Sequence, residues 1–422
     1  MALVVGKGRG HGSPGPEPLQ GPGPGEKKGN HLPSNALWAP LYTAVLAFMS
    51  LYAPQPVLPL LADTLAVSPE EVALLITVSL LPLGLAPVAY GYWLETVPAR
   101  PLLVGATGAL ALTQLPFLWS DSFGLLLAAR TLQGLLLPAI FTGLMAHLTA
   151  TAPAGEVRRV LGYYIAATIT GGFGGRLLTA LMAEYASWRY AFALLALGLA
   201  AAALALLASR AQRAPSFARV RLATAWHLWR RPPLWRGYVI IFLAFGCFAS
   251  LFNVLPFHLL TLDPTLGAAQ LGWAYSGYLI GIVIAVNTAT LSRWVGGSVA
   301  ALQLGLWIFI GATLSFAIPA LAWQFVAVWL FCAGMFTIHS TLSGYLNQLV
   351  SDYRGVVNGL YVACYYTGGT LGSFIPYYAY RQGGLTVYVA VLATLLLLAL
   401  VLTQSLARWD RQHSPRDSVA DP

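Results

Sequence analysis

Five polar side chains stand inside long apolar runs, where water screens charge least: Gln55, Arg130, Arg176, Asn253 and His339. An arginine at membrane depth costs about 2.5–3.5 kcal/mol on insertion scales, so Arg130 and Arg176 are expected to face protein or a water-filled path rather than lipid. All fourteen Asp and Glu residues fall in tails, joints or the ends of apolar runs. Neither arginine therefore has a carboxylate at its own depth unless Asp63 or Glu184 reaches down. A cavity built this way is net positive and would prefer an anionic or electron-rich molecule, or hold a neutral one by hydrogen bonds. The alternative for Arg176 is to snorkel toward lipid headgroups. His339, in MFTIHSTLSG, is the one histidine deep in an apolar run. Imidazole titrates near neutral pH, which makes it the candidate for proton coupling, whereas a bond to Ser343 one turn on would make it a packing residue. Tyr365, with Tyr164, Tyr361, Tyr366, Phe252 and Trp273, could line an aromatic cavity or simply pack.

The elements that must position these residues come in two copies. VLGYYIAATITGGFGG at 160–175 returns as VNGLYVACYYTGGTLG at 357–372, with eight identities at a constant shift of 197. Gly171 and Gly175, and again Gly368 and Gly372, form a small-xxx-small face that lets another helix approach closely. The same shift carries Leu46, Ala47, Phe48, Val57, Leu58 and Pro59 onto Leu243, Ala244, Phe245, Val254, Leu255 and Pro256. An internal duplication of membrane helices around a shared path is a recurring way to build a secondary transporter.

With 58% hydrophobic and 9% charged residues and a mean hydropathy of +0.69, the solvent for most of this surface must be lipid. Apolar runs predict twelve spans at 38–62, 70–93, 101–119, 122–146, 157–182, 187–208, 237–260, 268–291, 298–317, 320–344, 354–377 and 384–406. The expected fold is an all-α membrane protein of twelve transmembrane helices in two six-helix, pseudo-symmetric bundles, residues 37–208 and 237–406. Residues 1–36 read as a disordered, retained tail without the apolar run of a cleavable signal, and 407–422 as a second tail. Lys and Arg concentrate in alternate joints, leaving only Arg189 and Arg381 in the others. That bias predicts both termini in the cytoplasm and makes the net charge of +9 a topology signal rather than a nucleic-acid footprint. The linker 209–236 holds seven arginines and no acid, interleaved with Phe217, Trp226, Trp229 and Trp235. It reads either as an amphipathic anchor on anionic lipid or as an ordinary basic loop. Cys247, Cys332 and Cys364 lie in apolar runs without metal-like spacing and read as packing residues.

Twelve spans as two sixes, a basic central linker and three local motifs together resemble the major facilitator superfamily over residues 37–406. In GYWLETVPARP, Gly91, Glu95 and Arg100 stand where that family carries a glycine, an acid and a basic group, with Glu95 in place of aspartate, Thr96 in place of a basic residue and Pro98 in place of a second glycine. The resemblance implies a reversible gating clamp, in which the carboxylate caps a neighbouring helix in one state only. ARTLQG places Arg130, Gln133 and Gly134 on the family's RxxQG motif, which implies bonds to neighbouring helix carbonyls or a part in proton movement. Gly162, Gly171 and Gly175 resemble the fifth-span motif of exporting antiporters, except that Arg176 stands where a proline follows. The runs YAPQPVLPLLA, GGFGGRLLTALMAEYASWRYAF and GLYVACYYTGGTLG are similar to the YnfM-like bacterial branch of the superfamily.

The expected activity is secondary active transport of a small organic solute across the bacterial inner membrane by alternating access, as proton-coupled efflux. Proton-coupled uptake is the alternative. Gln55, Arg130, Gln133, Arg176, Asn253 and Tyr365 are the expected substrate contacts, with His339 and Arg130 in proton coupling. Nothing resembles a phosphate loop or a zinc site, so neither a cofactor nor ATP-driven transport is expected. The expected partners are the solute, protons and the bilayer, with the chain working as a monomer. An intramembrane enzyme built on His339 with Ser340 or Ser343 would have no oriented base and no oxyanion site.

Overall fold

The computed structural model describes residues 37–93, 99–152, 156–208, 222–350 and 353–413. The N-terminal tail, Glu95, the first part of the linker and the last residues lie outside them. Among the described residues every regular element is helical: α1 Trp38–Tyr52, α2 Leu58–Leu65, α3 Pro69–Trp93, α4 Ala99–Leu112, α5 Pro116–Trp119, α6 Phe123–Thr151, α7 Val157–Tyr185 and α8 Trp188–Ala208. After the linker follow α9 Leu222–Trp229, α10 Pro232–Leu262, α11 Ala268–Ala274, α12 Ile280–Trp294, α13 Ser298–Ser315, α14 Leu321–Gln348 and α15 Arg354–His413. Among the described residues ten helical segments, some joining two of these elements, are long and apolar enough to cross a membrane.

Proline and glycine set the breaks. In α1, Pro54 and Pro56 have no N–H to offer the carbonyls of Ser50 and Tyr52, and the chain passes through a short 3₁₀ turn at Gln55–Val57 before α2 resumes. Ala66 closes α2 in the left-handed region, at φ 52°. Ser68 then caps α3 reciprocally with Glu71, Glu71 N–H donating to Ser68 Oγ and Ser68 N–H to Glu71 Oε2, with Pro69 as the first helical residue. Between α10 and α11, Asp263 accepts from the hydroxyl and the N–H of Thr265, which holds its carboxyl below the usual carboxylate range.

Several helices run past the expected spans, α6 to Thr151, α14 to Gln348 and α15 to His413 among them, and two differences have a plain local cause. α10 begins at Pro232 rather than 237, because Pro232 and Pro233 suit a first helical turn that needs no N–H donors. The joint expected at 378–383 is helical, and α15 turns only at Gly384, whose φ of 63° and ψ of −165° are open to glycine alone.

The turns at 66–68 and 263–267, and the ion pairs Arg189–Asp121 and Arg381–Glu70, gather at one end of the molecule, the distal end. The start of α1 and the close of α15 lie at the other, the terminal end. In the N-terminal half of the chain α1 packs on α7 and α8, α3 on α6, and α4 on α6 and α8. In the C-terminal half α10 packs on α15, α13 on α14 and α15, and α12 on α14. Across the halves, α3 meets α15 and α7 meets α11.

The glycine faces make two of these joints possible. A methyl on Gly171 would fall against the carbonyl of Val45 and 2.9 Å from Phe48 Cβ, and one on Gly175 would lie 2.6 Å from Met49 Cα. In the second copy, Gly368 is covered by the backbone of Phe242 and Gly372 by that of Gly246. Val45 and Phe242, like Met49 and Gly246, stand 197 residues apart. The α7-on-α1 contact therefore recurs as α15-on-α10 at the offset of the repeat.

Candidate functional site

Arg130 is fully buried, and its surroundings follow from the break in α1. Pro54 strips Ser50 O of its helical donor, and Arg130 Nη1 supplies one at 2.8 Å. Nη2 donates to Leu51 O at 2.6 Å and Nε to Leu75 O of α3 at 2.6 Å. Gln133, one turn on, accepts from Nη1 at 2.6 Å and passes its own Nε2 to Thr113 O, just beyond the end of α4. Gly134 completes the motif by close approach: a Cβ there would sit 2.8 Å from Ser79 Cα, and Ser79 Oγ donates to Arg130 O. Arg130, Gln133 and Gly134 thus tie α1, α3, α4 and α6 together. Arg130 acts on backbone at the α1 break and is not among the side chains that meet Arg176.

Arg176 does not snorkel; it is 1% exposed and lies where the two halves meet. Nε donates to Gln55 Oε1 at 2.7 Å, and Nη1 to Gly172 O at 2.6 Å on its own helix. Gln55 Nε2 donates to Asn253 Oδ1 at 2.6 Å, so the chain of bonds crosses from the first half to the second. Four rings surround the guanidinium, with centroids at 4.3 Å for Tyr52, 4.8 Å for Tyr278, 5.0 Å for Tyr275 and 5.2 Å for Phe252. Such contacts contribute from about 0.5 to 2 kcal/mol each, which offsets part of the cost of a charge in this setting. Among the described residues Arg176 makes no ion pair. Asp63 is exposed on α2, and Glu184 is engaged at the distal end.

Beside this cluster a cavity of about 10 Å³, the least that holds one water, has Arg176, Gln55 and Tyr52 at its polar end and Ile76, Leu80 and Phe248 along its apolar wall.

Toward the terminal end, His339 is half-buried and meets Tyr361 rather than Ser343: Tyr361 Oη lies 2.9 Å from His339 Nδ1 and 3.1 Å from His339 O. Tyr365 stacks on Phe245, with ring centroids 3.6 Å apart, and its ring lies 5.0 Å from the imidazole. Of the gating group, Glu95 lies outside the described residues and Gly91 falls near the end of α3. Arg100 donates to the carbonyls of Leu206 and Leu207 in the last turn of α8, a cation on a helix C-terminus.

The carbonyl acceptors of Arg130 are of the kind the RxxQG resemblance implies; two groups escaped the sequence reading, the tyrosine cage of Tyr52, Tyr275 and Tyr278 and a pair of contacts at the distal end. There Glu184 accepts from Ala269 N–H at the start of α11 and lies against Gly267, while Arg381 at the far end of the other half meets Glu70 at 3.5 Å. Glu184 and Arg381 are 197 apart, and so are Glu70 and Gly267. One contact is thus made twice, in each direction across the halves, and the repeat offset was the signal that could have found it.

With this geometry in place, known proteins can be set beside the chain. The family model described as the Major Facilitator Superfamily matches residues 41–373. An uncharacterized MFS-type transporter, YybF, of Bacillus subtilis is 26% identical over 88% of this chain and 93% of its own length. The inner membrane transport protein YnfM of Escherichia coli is 28% identical over 85% of this chain and 88% of its own. Among solved structures, a bacterial homolog of the human lysosomal transporter Spinster, inward-facing and occupied, superimposes with a TM-score of 0.74 at 14% identity, covering 91% of this chain and 99% of that one. The same protein inward-facing and unoccupied gives 0.64 at 15% identity, covering 89% and 95%.

Proposed function

Because the chain belongs to the major facilitator superfamily, we propose that it is a secondary active transporter moving a small organic solute across the bacterial inner membrane by alternating access, as proton-coupled efflux. The family and the relatives are transporters, not enzymes. In this reading twelve spans form two six-helix bundles, residues 37–208 and 237–406, which rock about a central site in a monomer. Both termini face the cytoplasm, so the distal end faces outward.

The observation that carries the reading is the set of contacts between the halves. Gln55–Asn253, Thr77–Ser373, Glu184–Ala269 and Glu70–Arg381 all lie from the level of the Arg176 cluster toward the distal end. Toward the terminal end α3 and α15 also meet closely, at Gly84 and the backbone of Thr367; polar side-chain contacts that can break and re-form at the distal end are what rocking of two repeats requires there. Antiport is favoured by the glycine pattern of α7, and Arg176 in place of the expected proline gives that pattern a charge at the meeting of the halves.

Reconstituted protein in vesicles with a defined proton gradient tests the reading. Solute should move against the proton flux; solute accumulating in step with inward proton movement would replace antiport by symport.

Two further outcomes are expected. His339→Ala should transport with a flattened pH profile, since the variant removes the titratable group nearest Tyr361 and Tyr365; an unchanged profile would return His339 to packing. The double variant Glu184→Ala/Arg381→Ala removes both repeat-related contacts. Exposed pairs of this kind contribute about 0–1 kcal/mol each, so spin labels at 186 and 265 should report a shift of a few-fold toward a longer distal separation. An unaltered distance distribution would show that these contacts do not hold the distal end closed.

A further inference from the structure

We infer that the solute is an organic anion, a carboxylate or similar group on an apolar body, whose charge is received at Arg176. The inference rests on the transport reading above and names the substrate class of that same site.

The argument begins with the order of the hydrogen bonds. A guanidinium can only donate, so Gln55 must present Oε1 to Arg176. Its Nε2 is thereby turned to Asn253, which must present Oδ1. Asn253 Nδ2 is left as a buried donor without a partner. The chain of bonds therefore carries a donor at each end, Arg176 and Asn253 Nδ2, and what completes it is an acceptor. A ligand ammonium would add a third donor and a second positive charge.

Charge gives the same answer. Arg176 is buried among neutral acceptors and rings, and makes no ion pair among the described residues. A buried cation without a counter-ion is the environment in which an anion gains most, because both charges leave water together in a matched pair. The rings that cover the guanidinium come from α1, α10 and the 3₁₀ turn at Tyr275–Leu279, so separation of the halves at the distal end uncovers it. The chemistry of the ligand follows from what adjoins Arg176, the amide of Gln55 beside the apolar side chains of Ile76, Leu80 and Phe248. At about 10 Å³ the cavity has room for a water and no more, so a solute can enter only once the halves move apart.

The test is equilibrium binding to the purified full chain in nanodiscs, read by thermal shift and by tryptophan fluorescence. The probes are benzoate, phenylacetate and hexanoate, each beside its neutral amide and the corresponding amine. Saturable binding of at least one carboxylate is expected, at least about tenfold tighter than its amide or amine. Arg176→Gln should weaken that carboxylate about tenfold or more, and weaken it by a larger factor than the matched amide. Should Arg176→Gln fail to fold, Arg176→Lys and Asn253→Ala each carry the test through a smaller loss, of a few-fold for the carboxylate and less for its amide. Amines or amides binding as well as the acids, no selective carboxylate in the panel, or undiminished carboxylate binding in all three variants would overturn the inference. Selective binding without flux in vesicles would instead sink the transport reading and leave the anion site standing.

Discussion

Arg130→Gln is expected to lower transport more than tenfold per inserted molecule while the protein still reaches the membrane. The wild-type side chain satisfies Ser50 O, Leu51 O, Leu75 O and Gln133 Oε1 at once. A glutamine amide has two donors and a shorter reach, so at least two buried acceptors lose their partner, at about 1–3 kcal/mol each. The damage falls on the α1 break, and Gln55 sits within that break. Arg130 is thus a positioning residue for the Gln55–Arg176–Asn253 chain, which a loss of solute affinity beyond the loss of thermal stability would reveal. Arg130→Lys should recover part of the activity, because an ammonium can serve one or two of the carbonyls but lacks the fork that spans α1 and α3. Full transport by Arg130→Gln would remove Arg130 from the mechanism.

Gly175→Ala is the second large effect, and it acts on packing rather than on polar groups. The new methyl would lie 2.6 Å from Met49 Cα and 2.8 Å from Met49 C, atoms of a helix backbone that cannot turn aside as a side chain can. Overpacking of this kind costs about 1–3 kcal/mol or more, so the melting midpoint in detergent should fall by several degrees and the yield of folded protein with it. Gly372→Ala, against the backbone of Gly246, should behave alike if the two copies share one packing rule. Gly162→Ala is the internal control: it belongs to the same glycine pattern, yet nothing lies within 4 Å of its Cβ position. There alanine should be neutral or slightly stabilising, because a glycine in a helix interior costs roughly 0.5–1 kcal/mol relative to alanine. Equal losses at Gly162 and Gly175 would mean that helix propensity, not close approach, explains the pattern.

Several features were open to reading from the chain alone. The RxxQG and glycine patterns pointed to the family, and the repeat offset of 197 relates contacts as well as residues: Val45 to Gly171 and Phe242 to Gly368, Glu184 to Gly267 and Arg381 to Glu70. What the pattern could not say is which face each polar group takes. Arg130 and Arg176 both stand inside apolar runs, yet one binds backbone at a proline break while the other joins a side-chain chain between the halves. His339 was set against Ser343 because helical spacing is all that sequence offers, and the tertiary fold instead brings Tyr361 from α15. Arg100 lies on the last carbonyls of α8, the first of them 106 residues away, while Glu95, its expected companion in the clamp, is outside the described residues.

By itself the sequence determined the solvent, the all-helical class, the repeat and the family, because these depend on composition, on runs long enough to cross lipid and on periodicity, all local along the chain. Only the tertiary structure decided the partners of the buried charges. Apart from Arg130–Gln133 and Arg176–Gly172, each within one helix turn, those bonds join residues 55 to 121 apart, and in a medium without water a donor takes whichever acceptor the packing presents, here the Ser50 carbonyl freed by Pro54 and the amide of Gln55, which in turn reaches Asn253.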